Sequence, residues 1–216
     1  MRVRSVRSLI VLLFCLTAVP AAATPLTLVD VLPGQEVQQT ANRPCIFGDE
    51  SCNPGLLGTY TVFPAGGGSQ TYLESQSYTI ETIRTAVGNV FDVGIDVNTT
   101  NAATDTLDYF RVYNATTSTL LFNFEGDTNL ALAVDLKNGT GWSDWLLQTI
   151  NLTSVAPLSV IRFDVRVTDA VDGREQFFVV PGDRAVTAVP EPASLLLVAS
   201  GVTLLASRVR NRRKRA

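Results

Sequence analysis

Phe91-Asp92-Val93-Gly94-Ile95-Asp96-Val97-Asn98 alternates apolar and polar positions without a break. Successive side chains of a strand point to opposite faces, so this period puts Phe91, Val93, Ile95 and Val97 on a buried face and the polar residues on the other. Ile161, Phe163, Val165 and Val167 alternate in the same way with Val160, Arg162, Asp164 and Arg166. Two such ribbons in one chain predict sheets with one face turned to a core.

Working outward, Leu107 to Tyr113 and Leu120 to Phe124 are partly apolar on both faces, as central strands are. Phe177 to Val180 reads as a short strand and Leu26 to Leu32 as the first one. Turn chemistry separates these runs at Gly66-Gly67-Gly68, Gly126-Asp127, Lys137-Asn138-Gly139 and Asp172-Gly173. Many short strands with such turns predict an all-β fold, an antiparallel, jelly-roll-like β-sandwich. One segment breaks the period. Ile80, Ile83 and Val87 recur at helical spacing, with Thr79 placed to cap the start and Gly88 to end it. The spacing predicts a short helix over 79–87; a strand is the alternative, because Thr and Ile are β-branched. Pro33 to about Tyr72, rich in Gly, Pro and Gln, reads as the least regular part.

The ends have a different composition. Arg2, Arg4 and Arg7 precede an apolar stretch from Leu9 to Val19, and Ala21-Ala22-Ala23 follows. A basic n-region, a short apolar h-region and small residues at the boundary are the marks of a secretory signal peptide, with residues 1–23 removed. At the other end, Pro190-Glu191-Pro192 leads into an uncharged run from Ala193 to Ser207 and then Arg208, Arg210, Arg212, Arg213, Lys214 and Arg215. As a helix, that apolar run is about 22 Å long, against roughly 30 Å of hydrocarbon, so snorkelling arginines or local thinning must make up the difference. The positive-inside rule keeps both basic clusters cytoplasmic, so the chain between the signal helix and this C-terminal membrane helix is exported as one loop.

The tail, residues 190–216, resembles the PEP-CTERM sorting signal of Gram-negative bacteria. The resemblance rests on Pro190, Glu191 and Pro192, the short apolar helix, and the Arg208, Arg210, Arg212 and Arg213 cluster, in that order at the end of the chain. It implies recognition by an exosortase, cleavage near the tripeptide, and a surface or extracellular protein made alongside exopolysaccharide. Before processing, the C-terminal helix holds the chain in the inner membrane.

Between the two ends lies one extracytoplasmic domain, residues 24–189, large enough for a sizeable core. The whole chain has a net charge of −3, but the middle holds eight basic residues against 19 acidic ones, a net −11. So acidic a domain argues against nucleic acid as a partner and suits one that binds cations. The chain contains no histidine, which excludes Ser-His-Asp and Cys-His nucleophiles and every His-ligated metal. Glycoside hydrolysis needs only paired carboxylates, but no spacing among the 19 acids singles out a pair, so no catalytic residue is assigned.

Three groups of candidate residues remain. Cys45 and Cys52, the two cysteines of the exported segment, are expected to form a disulfide. The alternative, a redox pair, suits Cys-x-x-Cys and an electropositive setting, whereas Asp49 and Glu50 lie inside this loop. Asp169, Asp172 and Glu175 surround Gly173 and form a candidate Ca²⁺ set, to which Asp92 and Asp96 would add oxygens if close in space; the alternative is a solvated hairpin turn. No other cofactor is indicated. Trp142, Asp144 and Trp145 are candidates for binding a sugar ring and its hydroxyls. Positions 142 and 145 face opposite sides of a regular strand, so the two rings form one platform only if the strand is interrupted. Trp145, which runs into Leu146-Leu147, is the better core residue. The expectation is therefore a non-enzymatic surface or matrix protein associated with exopolysaccharide. The alternatives are a carbohydrate-binding module and a polysaccharide hydrolase.

Overall fold

The computed structural model describes residues 22–32, 34–64, 70–98, 105–126, 141–168 and 173–182. Twelve strands are present: β1 (Thr24–Pro25), β2 (Thr27–Asp30), β3 (Cys45–Gly48), β4 (Thr61–Val62), β5 (Gln70–Glu74), β6 (Tyr78–Thr79), β7 (Val90–Asp96), β8 (Thr106–Asn114), β9 (Thr119–Glu125), β10 (Trp145–Asn151), β11 (Val160–Thr168) and β12 (Gln176–Pro181). A short helix, α1 (Ile80–Val87), lies between β6 and β7, and Gly55–Leu57 makes one 3₁₀ turn.

The strands form two six-stranded sheets. Sheet A runs β1-β9-β8-β11-β5, with β6 also on β11, and sheet B runs β2-β10-β7-β12-β3-β4. One set of pairings nests: β8 pairs with β9, β7 with β10, β5 with β11 and β3 with β12, all antiparallel; β11 also joins β8 and β12 joins β7 within the sheets. The chain is thus a long folded ribbon whose successive arms alternate between the sheets.

The alternation quoted above decides which faces meet. Phe91, Val93 and Ile95 of β7, Phe177 and Val179 of β12, and Ile161, Phe163, Val165 and Val167 of β11 share one core. Phe163 is its centre, with ring centroids 5.9 Å from Phe110, 6.1 Å from Tyr78 and 6.5 Å from Phe91. Phe110 stacks on Phe177 at 6.1 Å, joining the two sheets. Helix α1 buries Ile80, Ile83 and Val87 in the same core. Thr79 Oγ1 accepts the Thr82 N–H at 3.1 Å, and Gly88 follows at φ 85 with its N–H on the Arg84 carbonyl, so both expected caps are in place.

Two expectations change. The first strand is split. Thr24–Pro25 runs parallel to β9 in sheet A, and Thr27–Asp30 runs antiparallel to β10 in sheet B. Leu26, buried between them, carries the chain from one sheet to the other, an arrangement that a single apolar run does not reveal. The described residues 34–64 are also more regular than the composition of the stretch from Pro33 to Tyr72 suggests. They supply β3 and β4 and close over the outer face of sheet B, where Val37, Cys45, Cys52, Phe178 and Val180 form a second small core. The expected Cys45–Cys52 disulfide is present there.

No helix among the described residues is long and apolar enough to cross a membrane. The expected signal peptide (1–23) lies almost wholly outside the described residues, and the expected sorting tail (190–216) wholly outside them.

Candidate binding face

The outer face of sheet A is not a plain solvated surface. Because Phe163 and Val165 of β11 and Phe110 and Val112 of β8 point inward, Arg162, Asp164 and Arg166 and then Tyr109, Arg111 and Tyr113 point outward. Register aligns them across strands. Tyr72, Arg166, Tyr109 and Glu125 form one row, and Glu74, Asp164, Arg111 and Asn123 the next. Arg162 and Tyr113 begin a third.

Each guanidinium in this array has two kinds of partner. Arg166 Nε donates to Asp108 Oδ2 at 2.7 Å, and its guanidinium lies 5.0 Å from the Tyr109 ring centre. Arg111 bonds Glu125 at 2.9 Å and stands 4.1 Å over the same ring, so Tyr109 is held between two arginines. Arg162 bonds Asp164 at 2.9 Å and Glu74 at 3.2 Å and lies 5.4 Å from the Tyr113 ring centre. Cation–π contact and paired carboxylates fix planar groups that would otherwise be mobile. Tyr72, 51% exposed, is the ring that projects; it lies 6.4 Å from Tyr109 and its hydroxyl bonds Glu74.

The electrostatics follow from this packing. Burial raises the Asp164 carboxyl above its ordinary value, against the pull of Arg162. The hydrogen bond to Asp164 holds the Arg162 guanidinium above its own. Burial, then the bond to Glu74, raises the Tyr72 phenol, so at neutral pH it is a neutral donor and ring. The face offers fixed aromatic rings bordered by hydrogen-bonding groups of both signs.

Trp145 packs against the core in β10, and Trp142 is half-buried in a bridge with Gln38. Asp144 is buried, and its Oδ2 accepts the Val97 N–H at 2.8 Å. Of the candidate calcium set, Asp169 and Asp172 lie outside the described residues. Glu175 is buried, accepts the Asn98 N–H at 2.7 Å, and hydrogen-bonds Asp105. Asp92 and Asp96 lie four residues apart along β7, about 13 Å of extended strand, and Asp92 accepts the Thr149 N–H at the β10 bulge. Among the described residues, no group of three or more Asp, Glu, His or Cys side chains is arranged to hold a metal ion.

Comparison of the chain with protein-family models, with curated proteins and with solved structures gives no match.

Proposed function

We propose that this protein is an exported, non-enzymatic surface or matrix protein whose jelly-roll-like sandwich binds exopolysaccharide through the tyrosine–arginine face of sheet A. The nested strand pairing supports the jelly-roll reading. The signal peptide, the Pro190-Glu191-Pro192 tail and an exosortase partner remain the basis for export, transient hold in the inner membrane, and release to the envelope, cell surface or medium. A buried disulfide is compatible with that route.

The single observation that carries the binding reading is the row Tyr72–Arg166–Tyr109, where the exposed Tyr72 ring stands beside Arg166 and a Tyr109 ring that two guanidiniums cover and leave only 9% exposed. A sugar ring presents C–H groups to an aromatic face and hydroxyls to flanking carboxylates and arginines, and this row offers both. We therefore centre the proposed sugar contact on Tyr72, with Tyr113 and the charged groups around Tyr109 beside it, rather than on Trp142, Asp144 and Trp145.

The test is retention of the protein on a panel of immobilised bacterial polysaccharides. Tyr72→Ala is expected to weaken retention about tenfold, the equivalent of one aromatic contact, and Trp142→Ala to leave it unchanged. Loss with Trp142→Ala and none with Tyr72→Ala contradicts the reading.

A further inference from the structure

Sheet B carries a buried polar row beneath the disulfide-closed loop. Asp96 of β7 pairs with Gln176 of β12, so their side chains share the outer face. Asp144 precedes Trp145, the partner of Ile95, and donates its N–H to the Ile95 carbonyl at 2.8 Å, which places it on the other side of Asp96. The three residues are 0%, 3% and 4% exposed for Asp96, Gln176 and Asp144.

Two oxygens in this row have no hydrogen-bond partner, Asp96 Oδ1 and Gln176 Oε1. The direction of the Gln176 amide is set from outside. Its nitrogen donates to Asp49 Oδ1 at 3.2 Å and Ser51 Oγ at 3.4 Å in the disulfide loop. A carboxylate only accepts, so the amide nitrogen belongs there and the carbonyl oxygen is turned the other way. It then lies 3.5 Å from where a Cβ on Gly141 would stand, and the Gly141 N–H donates to Asp96 Oδ2 at 3.0 Å. Both unpartnered oxygens therefore lie beside Gly141. The charges acting on Asp96 are those of Asp144 and Asp49, both negative.

We infer that the row Asp144, Asp96 and Gln176 is a binding site for a hard divalent cation of the Ca²⁺ class. Two buried carboxylates side by side are costly unless a proton or a cation offsets their charge, and a bridging water satisfies acceptors without supplying charge. The row offers oxygen ligands only, two carboxylates and an amide carbonyl, which is the chemistry Ca²⁺ takes, with water completing its coordination. Mg²⁺ demands a tighter octahedron and should compete poorly. So few charged ligands place the dissociation constant at about 10⁻⁴–10⁻³ M, the range of extracellular modules. The site is independent of the polysaccharide reading.

Equilibrium dialysis of the full chain against radioactive calcium tests it, with thermal melting in CaCl₂, MgCl₂ and chelator as a second readout. The wild type is expected to bind about one ion per chain and to melt several degrees higher in CaCl₂ than in chelator. Asp96→Asn keeps an acceptor for the Gly141 N–H and removes the charge. Gln176→Met keeps the volume and removes the oxygen. Each is expected to weaken calcium at least about tenfold. If one variant fails to fold, the other carries the comparison. A wild type that binds no calcium overturns the site, whether the row then holds protons or water. Calcium bound equally by wild type and variants places the ion elsewhere and overturns it too.

Discussion

Glu175 gives the most demanding test of the packing at the end of the sandwich. It stands immediately before β12, fully buried, with Asp105 hydrogen-bonded to it and Asp96 nearby. Burial is the main cause that pushes its carboxyl from 4.5 to about 9, against the Asn98 N–H, while Asp105 and Asp96 add to the rise. The folded state therefore keeps a proton that the unfolded chain releases. The stabilisation is complete below pH 4.5 and is lost as pH rises towards 9. Between about pH 5 and about pH 8 this single group costs about 4 kcal/mol, a large share of the roughly 5–15 kcal/mol that holds a domain folded. Asp96, raised to about 7 mainly by burial, acts in the same direction. The assay is thermal or urea unfolding in chelator at the two pH values. The wild type should melt on the order of 10 °C lower at the alkaline one. Glu175→Gln keeps the Asn98 bond and can donate to Asp105, so it should match the wild type at acid pH and exceed it at alkaline pH. Equal stability of wild type and variant at both values refutes the reasoning, as does a variant weakened equally at both.

The disulfide closes a loop of sequence separation 7, so replacing Cys45 and Cys52 with alanine should lower stability by about 2–3 kcal/mol in urea unfolding. An unchanged midpoint contradicts the role given to the loop as the cover of sheet B. A Cβ on Gly94 would stand 2.6 Å from Phe178 Cε2, so Gly94→Ala should cost about 1–3 kcal/mol, and Phe178→Leu should recover part of it. Thr79→Ala removes the acceptor of the Thr82 N–H and should cost about 1 kcal/mol, whereas Thr79→Asn should be nearly neutral.

The strands of the ribbon were legible because their periods are local. The alternation at Phe91–Asn98 and Val160–Val167 names the inward face without any knowledge of neighbours, and Thr79 and Gly88 mark a helix by their own chemistry. What needs register was not legible. Arg162, Asp164 and Arg166 read as a polar face, but only pairing with β5 and β8 sets Tyr72 and Tyr109 beside them. Asp96 and Gln176 are 80 positions apart and meet through one pairing. The Trp142–Trp145 motif drew notice by composition, yet Gly141 and Asp144 are the members that engage the buried row. The splitting of the first strand at Leu26 depends on β9 and β10, which lie far along the chain.

The binding face is the central claim, and the chain's five tyrosines allow a direct measurement. Tyr72, Tyr109 and Tyr113 stand on the face, while Tyr78 is in the core with its hydroxyl on the Thr59 carbonyl and Tyr60 packs under the disulfide loop. Ring-labelled tyrosine spectra, recorded as polysaccharide is added, should show shifts at Tyr72, Tyr109 and Tyr113 and none at Tyr60, Tyr78 or the indoles of Trp142 and Trp145. Shifts at the tryptophans with the three face tyrosines unmoved would contradict the account.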